Sequence, residues 1–188
     1  MGDVRAGMLL VATPGLLDPN FADTVVLLLD VDADGALGVV INRPSAVPVS
    51  EVLDPWAESC AEPEVLFRGG PVSPEGALAV ALLRDADAAP VGFREIDGAG
   101  GRIGLLDLDT PVELVADTLA ELRIFAGYAG WGAAQLAAEI EEGSWYVVQG
   151  ELPDAFGEDP SQLKREVLRR QPGDLAWLST RPLDPGLN

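Results

Sequence analysis

Three arginines stand where glycine or proline interrupts the chain, and their guanidinium groups could bind an anion. Arg43 precedes a proline, Arg68 precedes Gly69-Gly70, and Arg94 follows a phenylalanine. Guanidinium groups bind carboxylates and phosphates through paired, charge-assisted hydrogen bonds. Two interpretations are open. Each arginine pairs with a nearby carboxylate of the acidic chain, or two of them converge near Gly130 and form an anion site, which is our hypothesis.

A glycine-rich segment, residues 127–132 (GYAGWG), offers a second way to hold an anion. It is predicted to be a tight loop between a strand and a helix, where successive backbone N–H groups can bind a carboxylate or phosphate. Alternatively, its glycines permit left-handed turns while Tyr128 and Trp131 fill the core. Both interpretations remain open at the level of sequence.

These loop segments together predict one ligand- or partner-binding surface, because rigid scaffolds usually present function on loops at strand ends. We expect it to bind a small anion or a protein partner without catalysis, and we predict no catalytic, cofactor-binding or metal-ligating residues. The residues assigned to this surface are Asn42, Arg43, Arg68, Gly69, Gly70, Gly130 and Trp131.

An acidic turn supplies the alternative of a metal-dependent enzyme that uses carboxylates. Asp30, Asp32, Asp34 and Gly35 match the first half of a calcium-binding EF-hand loop. That loop also needs a bidentate glutamate at its twelfth position, which here is Ile41, and a helix on each side. Since strands are predicted on both sides of this turn, a solvated hairpin turn is the competing interpretation.

Several catalytic chemistries are excluded by residue types that are missing. The sequence has no histidine and one cysteine, Cys60. This removes Ser-His-Asp and Cys-His catalysis and every histidine-containing zinc site. Acidic neighbours of Cys60 (Glu58, Glu62 and Glu64) are expected to raise the pKa of its thiol and keep it unreactive. The absence of a recognised catalytic motif favours a protein that is not an enzyme.

The charge of the chain is strongly negative, with 12 Lys and Arg against 31 Asp and Glu and a net charge of −19. Such a field repels nucleic-acid backbones and anionic lipids. We therefore expect a cytoplasmic protein with no membrane partner and no direct contact to nucleic acid. Residues 164–170 (KREVLRR) form the one basic cluster, and they keep open the alternative of a transcriptional regulator that acts directly or through a partner.

The elements that position these residues read as a single α+β domain over residues 1–188, with a strand-rich first half and a helix-richer second half. An Asp34-Gly35 turn predicts a β-hairpin, and its nearly all-apolar strands predict burial on both faces. Expected strands are 7–13, 24–30, 36–42, 65–68, 77–83, 91–96, 103–107, 122–126 and 144–149. Expected helices are 50–59, 110–121, 133–142 and 160–171.

The clearest helix start in the sequence is at Thr110. This residue is a suitable N-cap, Pro111 suits the first helical position, and Glu113 completes a capping box. These signals predict a helix from residue 110 to about residue 121.

A further set of motifs runs in order along nearly the whole chain. It comprises residues 7–14 (GMLLVATP), Asp18 with Phe21, residues 35–44 (GALGVVINRP), residues 69–72 (GGPV), residues 127–132, Gln135-Leu136 and Trp145. This set resembles the YqgE/AlgH family of bacterial proteins. The resemblance implies an α+β fold with coiled, branching β-sheets and several short helices. It implies no catalytic set, because the family's biochemical function is not established, although one branch is named for regulation of alginate synthesis.

Overall fold

The computed structural model describes residues 4–180 of the chain, which form strands and short helices. The strands are β1 (Met8–Ala12), β2 (Val25–Val31), β3 (Gly35–Val40), β4 (Pro44–Pro48), β5 (Val65–Arg68), β6 (Val72–Leu83), β7 (Phe93–Glu95), β8 (Ile103–Leu106), β9 (Leu119–Gly132) and β10 (Trp145–Gln149). The α-helices are α1 (Val49–Val52), α2 (Gln135–Glu141), α3 (Leu163–Arg169) and α4 (Asp174–Leu178). Short 3₁₀ turns lie at Asp54–Ser59, Ala86–Ala88, Val112–Leu114, Ala116–Thr118 and Leu152–Phe156.

The strands form one curled, mostly antiparallel sheet in the order β10-β1-β2-β3-β9-β6-β8-β7. The long strand β9 organises it. One edge of β9 pairs with β6. The other edge pairs first with β5, in parallel, and then with β3, antiparallel. The sheet therefore branches at the point along β9 where the pairing passes from β5 to β3. Strand β4 extends the β5 branch. This confirms the expected α+β class with coiled sheets and short helices.

Three hydrophobic clusters show that the first strands are covered on both faces. On β1, Leu9 and Val11 face the largest cluster, which lies inside the curl of the sheet and is closed by α3. Leu10 and Ala12 face an outer cluster that includes Leu136 of α2. The alternation follows from the two-residue period of a strand. The third cluster covers the outer face of β6, β8 and β9.

The predicted hairpin is confirmed: β2 pairs antiparallel with β3 around the Asp34-Gly35 turn, with a bulge between Leu28 and Asp30. The broken helix expected over 50–59 is also found, as α1 followed by the 3₁₀ turn Asp54–Ser59. The hairpin was predictable from local sequence because its apolar strands flank a strong turn signal, and the broken helix because Ser50 and Asp54-Pro55 are typical helix starts.

The helix predicted from Thr110 to residue 121 is wrong. Two 3₁₀ turns stand there, the Thr110 side chain makes no cap hydrogen bond, and β9 already begins at Leu119. The tight loop predicted over 127–132 is also wrong, because those residues continue β9 and pair with β3. Long-range pairing on both edges of β9 outweighs the local helix and turn signals. The helix predicted over 160–171 is found as α3, which begins at Leu163, and α4 was not predicted from the sequence.

Candidate functional site

The branch of the sheet is formed by Gly69 and Gly70, two residues of the predicted surface. The N–H of Gly69 donates to the carbonyl of Ala126 on β9 at 2.9 Å, and its own carbonyl accepts from Val40 on β3 at 2.8 Å. A Cβ on Gly69 would overlap the Gly127 carbonyl oxygen. These glycines are therefore required where three backbones meet at close range.

Beside the branch, Asn42 and Arg43 anchor the loop between β1 and β2. The Asn42 Oδ1 accepts from the Val25 N–H at 2.9 Å, and its Nδ2 donates to the Asp23 carbonyl at 3.0 Å. The Arg43 guanidinium donates to three backbone carbonyls of the same loop, at 2.7 to 3.1 Å. The acceptors are Pro19, Asn20 and Ala22.

Arg68 lies directly across from Arg43, since the Arg68 N–H donates to the Arg43 carbonyl at 2.8 Å. Burial first, and then the positive charge of Arg68, lower the pKa of Arg43. The carboxylates of Asp23 and Asp18 act in the opposite direction. Arg68 is exposed, and over residues 4–180 its side chain forms no ion pair. Two positive charges are therefore adjacent here on an otherwise acidic protein, with the carboxylates of Asp23 and Asp18 near Arg43.

Gly130 and Trp131 lie farther along β9, where they pair with Leu37 and Ala36. Trp131 is 5% exposed and packs with Phe21 and Trp145. Its side chain fills the core, as one of the two interpretations of residues 127–132 proposed.

Glu139 of α2 binds the two tryptophans of the aromatic cluster, Trp131 and Trp145. Its Oε2 accepts from the indole N–H groups of Trp131, at 2.9 Å, and Trp145, at 2.8 Å. Its Oε1 accepts from Gln135 at 2.9 Å. Burying two indoles while satisfying both donors attaches α2 to the sheet.

The predicted surface thus divides into two groups of residues. Asn42, Arg43, Arg68, Gly69 and Gly70 gather at the branch, whereas Gly130 and Trp131 belong to the stretch of β9 that pairs with β3. Gly70 adjoins Tyr128 and Ala129 and so links the groups through the backbone. The two arginines adjoin each other at the branch. Gly130 lies opposite Leu37, and the distance along β3 from Val40, at the branch, to Leu37 is about 10 Å.

Arg94 lies outside this gathering. Its Nη1 stands 3.6 Å from the Asp30 carboxylate, and both side chains are at least half exposed. Asp32 accepts instead from the N–H groups of Asp34 and Gly35. Within residues 4–180 no three or more His, Cys, Asp or Glu residues are arranged to hold a metal ion. The acidic turn is an Asx-type hairpin turn.

The basic cluster on α3 is partly neutralised within the chain. Lys164 pairs with Asp23 at 2.8 Å. Arg170 binds the buried Asp154 with both terminal nitrogens, and this hydrogen bonding raises the pKa of Arg170. Arg165 and Arg169 remain exposed on the helix, opposite its buried apolar face.

Sequence reasoning missed Arg123, which is 2% exposed in the middle of β9. Its guanidinium donates to the carbonyls of Ala155 and Gly157, at 3.2 and 3.1 Å, and of Glu62. It also lies over the Phe67 ring, 4.2 Å from the centroid. An arginine within an apolar strand run was the available signal, since buried charges need dedicated partners.

Arg123 also adjoins Cys60, whose thiol has a pKa raised to about 12. Burial is the main cause, the charge of Arg123 opposes it, and Glu64 adds to it. The expected direction is therefore found. The glutamates proposed from the sequence are not the principal cause.

None of the helices in residues 4–180 is long and apolar enough to cross a membrane.

Comparison with known proteins gives consistent matches over nearly the full length. A family profile described as AlgH-like (DUF179) matches residues 9–176. A UPF0301 protein of Streptomyces avermitilis is 55% identical over 185 residues, covering 97% of this chain and 94% of the relative. A UPF0301 protein of Thermobifida fusca is 49% identical over 188 residues, covering 97% and 94%.

Two solved structures share the fold. The crystal structure of a Corynebacterium diphtheriae protein matches with a TM-score of 0.88 and 28% identity, over 96% of this chain and 94% of that one. The solution structure of the AlgH protein from Pseudomonas aeruginosa matches with a TM-score of 0.68 and 27% identity, over 94% and 93%.

Proposed function

The chain belongs to the AlgH-like family, and within that family we propose that it is a cytoplasmic, non-catalytic binding protein that takes an anionic group beside Arg68. The resemblance of its motifs to the YqgE/AlgH family is confirmed by these matches. The family relationship carries no activity with it. The proposal therefore depends on the arrangement of charges at the branch of the sheet.

One observation carries the proposal: Arg43 and Arg68 are adjacent, joined by a backbone hydrogen bond of 2.8 Å, and only one of them is fully engaged. Arg43 donates to three loop carbonyls. Arg68 is exposed, and among residues 4–180 no carboxylate lies within ion-pair distance of it. An anion beside Arg68 would relieve the repulsion between the two guanidinium groups and gain charge-assisted hydrogen bonds.

The rigidity of the surroundings also favours binding. Arg43 is fixed by the loop that it anchors, and Arg68 stands at the end of β5, which is held by β4 and β9. Since the backbone at Arg68 is fixed, an anion has to order only the Arg68 side chain, and this limits the entropic cost of binding. Direct nucleic-acid contact is less favoured, because Lys164 and Arg170 of the basic cluster already pair with carboxylates of the chain.

The test is thermal unfolding with inorganic phosphate and with pyrophosphate, for the natural chain and for Arg68→Gln. A ligand at about one hundred times its Kd adds about 2.7 kcal/mol, which is about 5 to 10 °C for a chain of this size. We expect Arg68→Gln to abolish the shift. The matched control is Arg84→Gln, since Arg84 is also exposed and unpaired over residues 4–180.

General salt stabilisation is separated from binding by the same comparison, because it acts equally on all three proteins. Equal shifts in the natural chain, Arg68→Gln and Arg84→Gln would overturn the proposal, and so would the absence of any shift with both anions.

A further inference from the structure

Strand β6 extends beyond its neighbour β8. The ladder between them covers Ala79 to Leu82, while β6 itself begins at Val72 and pairs with β9 on its other side. Within the segment 72–78, a bulge interrupts the pairing with β9 between Val72 and Ala77. Among the residues that the structure describes, the regular part of the unpartnered edge is therefore Ala77 and Leu78. A strand edge of this kind is a template for pairing with another chain.

A groove of about 370 Å³, with both apolar and polar walls, lies at the point where β8 ends. Half-buried leucines line it from three parts of the chain: Leu53 after α1, Leu78 on β6, and Leu105 with Leu108 around the end of β8. Ala77, which is exposed, lies beside them on the free edge. A free edge next to an apolar pocket is the arrangement by which sheets accept an added strand, with main-chain bonds for affinity and the pocket for specificity.

The negative charge around the groove favours a basic partner. Asp107 and Asp109 line it, both are exposed, and the Asp107 carboxylate accepts only the N–H of Asp109. No cation of residues 4–180 pairs with either carboxylate. The net charge of −19 opposes a second copy of the chain and attracts a basic segment.

We propose that this groove and the free edge of β6 dock an extended segment of a partner protein, in which apolar side chains alternate with Lys or Arg. An apolar side chain packs against Leu53 and Leu108 on one face of the sheet, while basic groups on the other face reach Asp107 and Asp109. Pro74 has no N–H to offer, so the added strand pairs with the end of the segment nearest the groove. The proposal concerns a site separate from the anion site at Arg68 and does not depend on it.

The test uses three synthetic peptides with blocked ends: arginine alternating with valine and leucine, the same with glutamate for arginine, and arginine alternating with serine. Binding is measured by fluorescence anisotropy and mapped by amide chemical shifts in the full chain. We expect only the first peptide to bind with saturation and to shift the amides of Ala77, Leu78, Leu105 and Leu108. Equal binding of the serine peptide would show that charge alone acts and would overturn the proposal.

Two variants test the groove itself. Ala77→Tyr fills it from an exposed position and should weaken binding about tenfold or more. The matched control is Ala88→Tyr, because Ala88 is exposed in a turn beyond the opposite end of β6. Asp109→Asn should weaken binding about two- to five-fold at low salt, as expected for an exposed ion pair. Unchanged affinity in both Ala77→Tyr and Asp109→Asn would overturn the proposal.

Sedimentation of the protein without peptide tests whether a second copy of the chain occupies the edge. A dimer of the natural chain that Ala77→Tyr dissociates would assign the edge to a second copy and overturn the basic partner. Arg68→Gln should leave peptide affinity unchanged, and Ala77→Tyr should keep the response to phosphate. The failure of one site is therefore distinguishable from the failure of the other.

Discussion

The glycine at the branch gives the sharpest test of the fold. In Gly69→Ala, the new Cβ would overlap the Gly127 carbonyl oxygen and lie 2.9 Å from the Cβ of Phe125. No left-handed backbone is involved, because Gly69 is not among the residues with positive φ. The strain must therefore be relieved by moving β5 away from β9.

The magnitude follows from what that movement breaks. Overpacking costs about 1 to 3 kcal/mol. The hydrogen bonds from Gly69 to Ala126 and from Val40 to Gly69, at 2.9 and 2.8 Å, contribute about 0.5 to 1.5 kcal/mol each. These contributions together amount to about 2 to 6 kcal/mol. A loss near the middle of this range, about 4 kcal/mol, lowers the Tm of a chain this size by about 8 to 16 °C.

The assay is reversible urea unfolding followed by tryptophan fluorescence, with Gly157→Ala as the matched control. Gly157 has an ordinary backbone, with φ −62°, and a Cβ there would meet nothing within 4 Å. That substitution should be neutral or stabilise by about 0.4 to 1 kcal/mol, through the unfolded chain. A Gly69→Ala protein within about 0.5 kcal/mol of the natural chain would refute the close approach at the branch.

Two further predictions concern buried groups. Iodoacetamide should alkylate Cys60 of the folded chain about 1,000-fold more slowly than in denaturant at pH 8, because only the thiolate reacts and burial raises the pKa from 9.0 to about 12. The folded rate should keep rising with pH above 9, and equal rates in the two states would contradict this. Glu139→Ala should destabilise by about 2 to 4 kcal/mol in thermal unfolding, because it leaves two indole donors unpaired. Glu141→Ala, exposed on the same helix, should change little, and equal Tm values for the two variants would argue against the shared acceptor.

Local sequence predicted the early strands well because their signals are local. The strand of residues 25–31 is apolar except for Asp30, and Asp34-Gly35 marks the turn, so the hairpin needs no knowledge of distant partners. Strand β9 is the opposite case. Thr110, Pro111 and Glu113 form a complete helix-start signature, yet the segment after them is committed to β6, β5 and β3. Such pairings are not visible in a short window of sequence.

The candidate site was predicted in part for the same reason. The neighbouring strands bring Arg43 and Arg68 together at the branch, and not beside Gly130 as the hypothesis had it. Nothing in the sequence indicated that Arg43 is engaged by backbone carbonyls. Gly69 and Gly70 were assigned to the surface as loop residues at strand ends, and in the structure the backbone of β9 approaches them closely. A glycine's role depends on what approaches it, which is a tertiary property.

The buried Arg123 has a consequence for synthesis on the ribosome. Its acceptors are far away in the chain: Glu62 lies 61 residues before it, while Ala155 and Gly157 lie 32 and 34 residues after it. A nascent chain that has emerged only as far as β9 already holds both β6 and β5. It still lacks two of the carbonyls that compensate the guanidinium for its loss of water. The buried guanidinium therefore has all its acceptors only after the last fifth of the polypeptide has begun to emerge.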